Sequence, residues 1–275
     1  VQSEKFIAQF IDAIKNNKQV FIIAEISANH GQKFDQAVRL IKEAKRAGAD
    51  AVKFQTFTAD TMTLDSKNKN FIVKHHKWGG ETLYNLYKQG SMPWEWFKKL
   101  KKVADGEGIT FFSAAFDKTA VDLLEGINCP IHKIASFELV DLPLIAYMAQ
   151  TKKPLIMSTG MATLKEIKDA VSTARQAGAQ DITLLRCVSS YPADPKDMDL
   201  NTIPDMQKRF NCRVGLSDHS LGTAVAVASV CLGATMVEKH FTLSRKIPTT
   251  DSFFSLEPQE LTQLVKDIRI AEQQL

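Results

Sequence analysis

The chain has 275 residues, 44% hydrophobic and 24% charged, with a formal net charge of +4, an ordinary globular composition. Its positives are scattered, with no arginine stripe interleaved with aromatics, so no nucleic-acid partner is expected, and no apolar run approaches the roughly 18–20 residues of a membrane span. No signal peptide is visible, and Cys129, Cys187, Cys212 and Cys231 lack CxxC or CxxxC spacing, which argues for buried thiols in a reducing cytoplasm.

In chain order, "KFIAQFIDAIK" (5–15) reads as a helix, and residues 1–19 as an N-terminal capping segment. "VFIIAEI" (20–26) is the first apolar, β-branched run. "FDQAVRLIKEAKRAG" then shows apolar residues at helical spacing, with Gly48 suited to its C-terminal cap. "DAVKFQT" (50–56) is the second strand. After a polar insertion at 57–92, "PWEWFKKLKKVADGEG" starts with Pro93 at an expected first helical position. "ITFFSAA" (109–115), "IHKIAS" (131–136), "PLIMST" (154–159), "DITLLRC" (181–187), "CRVGLSD" (212–218) and "ATMVEKHF" (234–241) are the remaining strands. Helical stretches alternate with them and end in "PQELTQLVKDIRIAEQQL".

Strict β-α alternation predicts a parallel sheet. Eight repeats in 275 residues predict closure into a single (β/α)8 TIM barrel, which typically takes about 250 residues. A doubly wound open sheet is the alternative. Residues 57–92 are too long for a plain βα loop, and long loops of this kind tend to be functional.

A barrel of this type carries its site at the C-terminal ends of the strands. Polar residues expected there are Glu25 (then Ser27, Asn29, His30), Lys53 with Gln55, Ser113, Lys133 with Ser136 and Glu138, Ser158, Arg186 with Ser189 and Tyr191, Ser217 with Asp218 and His219, and Glu238 with Lys239 and His240. Charges in apolar strands are costly unless paired or at a site. Convergence of Lys53, Lys133, Arg186 and Lys239 at the mouth would make an anion site, best suited to phosphate. Ser136, Ser158, Ser217 and the amides near "STGM" would complete it. By strand alternation Glu238 and His240 share one face and Lys239 takes the other.

A lone histidine is ordinarily a hydrogen-bonded structural residue, and that reading stands for His30, His75, His76 and His132. His219 in "GLSDHS" and His240 in "VEKHF" differ, because both end consecutive strands. Two neutral imidazoles with carboxylate and water suit Mn²⁺, Zn²⁺ or Fe²⁺ better than an all-oxygen Ca²⁺ cage. Glu25, Glu138, Glu238 and Asp251 are open between metal ligation, acid–base work and charge balance.

The ordered segments "FIIAEISANHGQKFDQAVRLIKEAKRAGADAVKFQT", "HKIASFE", "PLIMSTGMAT", "SSYPA", "GLSDHS" and "EKHFTL" resemble the barrel domain of the sialic acid (nonulosonic acid) synthase family. The segment "FIVKHHKWGGETLYNLYKQGSMPWEWF" is more similar to the pseudaminic acid synthase branch than to the N-acetylneuraminate branch. The resemblance implies condensation of phosphoenolpyruvate with an acetamido sugar aldehyde to a nine-carbon 2-keto acid, with release of phosphate. It implies His219 and His240 as ligands of a divalent ion, Mn²⁺ or Mg²⁺ first, with Zn²⁺, Fe²⁺ or Co²⁺ as alternatives. It implies Lys53, Lys133, Ser136, Ser158 and Ser217 as phosphoenolpyruvate contacts. Glu25 and Glu138 would be the carboxylates nearest the chemistry, and Tyr191 and Asp251 sugar-side contacts. A homodimer is expected.

Three departures matter. Ala114 and Ala115 stand where the family commonly shows Ser or Thr and then Pro, so one phosphate hydroxyl is missing or Ser113 compensates. Ser189 replaces an Asn of some relatives, which bears on the sugar. The chain stops after the last barrel helix, where family members usually continue into an antifreeze-like domain that, in a swapped dimer, lends an arginine to the partner's site. The expected activity is pseudaminic acid synthase. Alternatives are an N-acetylneuraminate or legionaminate synthase, a Schiff-base aldolase using Lys53 or Lys133, and a catalytically weak barrel that binds a sugar or a partner protein.

Overall fold

The computed structural model describes residues 19–74 and 77–275. The expected helix at 5–15 and the loop histidines His75 and His76 lie outside the described residues. Eight strands, β1 (Phe21–Glu25), β2 (Ala51–Thr56), β3 (Thr110–Ala115), β4 (His132–Ile134), β5 (Leu155–Ser158), β6 (Ile182–Cys187), β7 (Arg213–Asp218) and β8 (Met236–His240), close into one parallel barrel in sequence order. The seam is β1 against β8, with Glu25 opposite His240.

The helices are α1 (Phe34–Arg46), α2 (Ala59–Met62), α3 (Leu83–Gly90), α4 (Phe97–Glu107), α5 (Lys118–Gly126), α6 (Leu142–Ala149), α7 (Leu164–Gln176), α8 (Thr202–Phe210), α9 (Ala224–Cys231) and α10 (Pro258–Glu272). Sequence explains their limits. In α1, Ala37, Leu40, Ile41 and Ala44 recur at helical spacing and are all buried, each leucine or isoleucine contributing about 1.5–3 kcal/mol by leaving water. Gly48, at φ +93°, takes the left-handed turn just after α1 that a side chain would resist. Thr163 and Glu166 cap the start of α7 reciprocally. Pro93 does not open a helix: a 3-10 turn at Trp94–Trp96 intervenes, and α4 begins at Phe97. The insertion at 57–92 carries α2 and α3.

Pleating splits each strand into a helix-facing set and a barrel-facing set. On the helix side, Phe54 stacks on Phe111 at 5.2 Å between centroids, and Phe97 of α4 meets Phe111 edge-on at 6.4 Å. Ser113 follows Phe111 in this set, and its hydroxyl lies 2.7 Å from that of Thr56. Lys239 also faces outward. Its ammonium donates to Asp218 Oδ2 at 2.8 Å and to Ser220 O at 2.6 Å, all deeply buried. It locks the β7–β8 turn from behind. The opposite set of side chains points into the barrel, and its last members form the site.

Candidate active site

Lys53, on the inner face of β2, is the hub. Its Nζ lies 3.1 Å from Glu25 Oε2 of β1 and 3.3 Å from Glu238 Oε1 of β8. Gln55 Nε2 donates to Glu25 Oε1 at 3.0 Å, and Ser217 Oγ donates to Glu238 Oε1 at 3.1 Å. Lys53, Glu25 and Glu238 are each 4% exposed or less. Burial opposes the charge of Lys53, but Glu238 and Glu25 more than offset this and hold it protonated. Burial, reinforced by Glu238 and opposed by Lys53, pushes Glu25 up to about 7. Burial would also raise Glu238, yet Lys53 and Lys133 outweigh it and hold Glu238 below its ordinary value. The two carboxylates therefore differ, one near neutrality and one firmly ionised.

A second group lies across the mouth. Lys133 Nζ of β4 donates to Ser158 Oγ at 2.6 Å and to Ile134 O at 2.8 Å. Burial, with Lys53 nearby and against the pull of Glu238, brings its pKa down to about 8. Ser136, just past β4, accepts from the Gly160 N–H at 3.2 Å and donates to Cys187 Sγ at 3.6 Å. A Cβ on Gly160 would stand 2.3 Å from Ser189 Oγ and 2.8 Å from Ser136 Oγ. The chain needs glycine there because two hydroxyls crowd it. Ser189 Oγ is buried and without a hydrogen-bond partner, as is Glu138 Oε2. Burial pushes Glu138 up to about 7. Unpaired buried polar atoms are uncommon in a finished interior, and here they cluster where a ligand would meet them.

The two histidines complete the mouth. Their ring centroids are 5.3 Å apart. His219 Nδ1 lies 2.8 Å from Val188 O, which fixes the proton on Nδ1 and leaves Nε2 as a lone-pair donor. His240 Nδ1 is buried with no partner. Burial, with His219 beside it, pulls His240 well below the ordinary imidazole range, so it is neutral. Burial opposes the charge of His219, but Cys187 and the Val188 carbonyl outweigh it and hold its pKa above the ordinary value. A divalent ion would take the place of that added proton, beside the orphaned ring nitrogen of His240. Among the described residues no group of three or more His, Cys, Asp or Glu is arranged to enclose one. An ion held by this pair would thus keep positions for water and substrate oxygens, as catalytic sites do. Tyr191 packs on His219 at 4.3 Å and Phe254 on His240 at 4.7 Å. Asp251, beyond β8, accepts hydrogen bonds from Ser27 Oγ and the Ala28 N–H, tying the β8 loop to the end of β1.

The sequence-predicted residues thus fall into two sets. Glu25, Lys53, Gln55, Lys133, Ser136, Ser158, Ser217, His219 and His240 come together, with Glu138, Ser189, Tyr191 and Asp251 around them. Ser113 does not join them, because strand alternation turns its hydroxyl to Thr56. The open question at Ala114 is answered: Ala114 takes the inward position, and Ser113 does not replace a hydroxyl there. Only two of the four strand cations converge. Arg186 points outward and donates to Met198 O at 3.0 Å and Cys187 O at 2.6 Å, and Lys239 serves Asp218. Cys187 is buried as expected and faces inward opposite Ser217, whereas Cys212 is only partly buried and Cys231, on the outer helix α9, is exposed. Cys187 shares a face with Leu185, two residues before it, and the pairing of β6 with β7 makes that face the inner one. A cleft lined by Arg175, Asp181, Gln207 and Arg213 also exists, but it opens near the starts of β6 and β7, at the other end of the barrel from these groups.

Such a barrel, with two buried lysines, unequal carboxylates and a histidine pair at its mouth, has the equipment of an enzyme acting on a phosphorylated or carboxylated substrate. The NeuB family model matches residues 40–275. A pseudaminic acid synthase from Helicobacter pylori is 43% identical over 248 residues, covering 90% of this chain and 73% of the relative. A pseudaminic acid synthase from Campylobacter jejuni is 42% identical over 265 residues, covering 96% and 77%. An N,N'-diacetyllegionaminic acid synthase from Legionella pneumophila is 37% identical over 256 residues, covering 92% and 72%. Among solved structures, the N-acetylneuraminic acid (sialic acid) synthetase of Leptospira borgpetersenii superposes with a TM-score of 0.85 at 33% identity, covering 94% of this chain and 85% of that one. The chain belongs to the NeuB family, the phosphoenolpyruvate-dependent synthases of sialic-acid-type nonulosonic acids. No helix among the described residues is long and apolar enough to cross a membrane.

Proposed function

We propose that this protein is a pseudaminic acid synthase: it condenses phosphoenolpyruvate with the open aldehyde form of a 2,4-diacetamido-2,4,6-trideoxy hexose, taking up water and releasing phosphate. The observation that carries this reading is the contact of one buried lysine, Lys53, with two unequal carboxylates, beside a second buried lysine and the histidine pair. The branch rests on identities of 43% and 42% to pseudaminic acid synthases against 37% to a legionaminic acid synthase. A Schiff-base aldolase needs a neutral amine: Lys53 is held charged by its carboxylates, whereas Lys133 is brought down to about 8, so borohydride trapping with pyruvate is the test that separates an aldolase acting through Lys133 from the synthase.

In the proposed mechanism, Lys53 and Lys133 bind the phosphate and carboxylate of phosphoenolpyruvate, with Ser136, Ser158 and the Gly160 N–H as further donors. His219 and His240 would hold a divalent ion, which would supply Lewis-acid polarisation of the aldehyde. Carbon 3 of phosphoenolpyruvate attacks the aldehyde carbon, the C=O electron pair moves to the aldehyde oxygen, which takes up a proton to become a hydroxyl, and positive charge grows on carbon 2. Glu25 stabilises that charge and, as carboxylate, takes a proton from the water that adds there. The resulting tetrahedral carbon expels phosphate and leaves the 2-keto acid. Glu138 orients the water or the sugar oxygens.

The test is phosphate release from phosphoenolpyruvate with Mn²⁺, offering the 2,4-diacetamido-trideoxy-altrose sugar and N-acetylmannosamine in parallel. Release with the first sugar alone is the expected result. Release with N-acetylmannosamine alone would move the protein to the N-acetylneuraminate branch, and absence of phosphoenolpyruvate binding would sink the synthase reading.

The pKa shifts predict a narrow bell in kcat/KM against pH. Activity rises as Glu25 loses its proton through about 7 and falls as Lys133 loses its own near 8. Glu138 is also near 7, so Glu138→Gln separates the two: the acid limb persists in that variant if it belongs to Glu25. An acid limb that vanishes in Glu138→Gln would transfer the base role to Glu138.

A further inference from the structure

The mouth carries an aromatic group that the proposed chemistry does not use. Trp78 comes from the long insertion between β2 and α4. Its indole N–H donates to Thr250 O at 2.8 Å, which pins the ring onto the loop after β8. The ring meets Phe253 edge-on at 5.9 Å and Tyr191 at 6.2 Å. Phe253 packs on Phe254 at 5.0 Å, and Tyr191 on Phe254 at 5.3 Å. The four rings therefore form two rows. Tyr191 and Phe254 touch the histidines, and Trp78 and Phe253 lie behind them, farther from the chemistry. Trp78 and Phe253 are half-buried. Lys77 Nζ lies over the Phe253 ring at 5.9 Å.

The polar groups nearby are engaged with one another. Asp251 receives Ser27 and the Ala28 N–H. Asn29 donates to Phe241 O and Ser255 Oγ and accepts from Thr249 Oγ1. Ser255 Oγ donates to Asp251 O. Thr250 O is taken by Trp78. The outer rings lie one ring farther from the histidines than Tyr191 and Phe254, where the far carbons of an acceptor sugar would be met if its aldehyde were held at the histidines.

Resting on the reading under Proposed function, we propose that Trp78 and Phe253 are the specificity-determining residues of the sugar site: they form an apolar wall that selects an acceptor ending in a methyl group over one ending in a hydroxymethyl group. A methyl group gains from burial against aromatic carbon, whereas a hydroxyl set against the same ring carbons is stripped of water by surfaces that cannot hydrogen-bond it. An apolar pocket discriminates against an added hydroxyl by roughly 100-fold at most.

The test uses unreactive probes, so it does not depend on turnover. The open-chain alditols of the 2,4-diacetamido-2,4,6-trideoxy sugar and of its 6-hydroxy counterpart lack the aldehyde and cannot condense. Their Kd is measured by calorimetry on the Mn²⁺-loaded protein, in wild type, Trp78→Ala and Phe253→Ala, with phosphoenolpyruvate affinity measured separately. Wild type is expected to bind the methyl-ended probe about 10- to 100-fold tighter. That ratio should fall below about 3-fold in Trp78→Ala, and partly in Phe253→Ala, with phosphoenolpyruvate affinity unchanged. Equal binding of both probes by wild type, failure to bind either, or a ratio that survives both substitutions would overturn the proposal. Loss of phosphoenolpyruvate binding in wild type would strike the functional reading instead, while the probe ratio would still judge the wall.

Discussion

His240→Ala is expected to lower phosphate release by about 1,000-fold while leaving the fold intact. An ion that polarises the aldehyde supplies several kcal/mol of transition-state stabilisation, and about 4 kcal/mol corresponds to three orders of magnitude. Removing the ring costs no hydrogen bond within the protein, since its Nδ1 makes none, and the cost to stability is that of the cavity left beside Phe254, His219 and Tyr191. Two readouts separate the ion's role from simple damage. Mn²⁺ affinity, by calorimetry, should collapse in His240→Ala and in His219→Ala, and the melting temperature of wild type should rise with Mn²⁺ while that of the variants does not. Unchanged Mn²⁺ affinity in both variants would remove the histidine pair from the metal site.

Lys53→Met should damage both stability and binding. The substitution keeps the volume but strands Glu25 and Glu238, two carboxylates almost wholly out of water. Breaking a buried ion pair by deleting one partner costs about 3–5 kcal/mol, which for a chain of this size lowers Tm by roughly 10 °C. Phosphoenolpyruvate affinity should fall by about 100-fold, since a charge-assisted hydrogen bond contributes up to about 3 kcal/mol. The pH dependence has a definite sign. Without Lys53, both carboxylates are held above their unfolded values near 4.3, so the folded state binds more protons than the unfolded one and gains stability as pH falls from 8 toward 5. The deficit of Lys53→Met relative to wild type should therefore shrink at pH 5.5, and Lys53→Met/Glu238→Gln should recover part of it at pH 8. Thermal melts at the two pH values check both. A variant as stable as wild type at pH 8 would mean that water already reaches the carboxylates and that Lys53 is not their counter-charge.

Much of the site was legible in the chain because strand alternation is a local rule. Glu238, Lys239 and His240 were assigned to opposite faces from their order alone, and Lys239 does turn away from the other two. The same rule groups Ser113 and Arg186 with outward-facing neighbours. Ser113 shares the face of Phe111, which packs on α4, and Arg186 is one residue from inward Cys187. A strand's own pattern says which residues share a face, but not which face is inside when both are buried. In β3 and β6 both faces are apolar, so only the pairing with neighbouring strands decides. Pro93 failed for a different reason: a proline fits the opening of a 3-10 turn as well as that of an α-helix, and the local sequence does not choose.

The β-α alternation, the eight-fold repeat, the polar residues at the strand ends and the family motifs are all local properties of the chain. These rest on short-range periodicity and on residue types whose burial must be offset by partners. The folded barrel alone shows that Lys53 is shared by Glu25 and Glu238, that Cys187 faces inward while Arg186 does not, and that Trp78 crosses from one loop to rest on another. Those contacts join residues up to 185 positions apart, as from Lys53 to Glu238. They depend on the register of barrel closure, a property of the assembled sheet that no single segment carries.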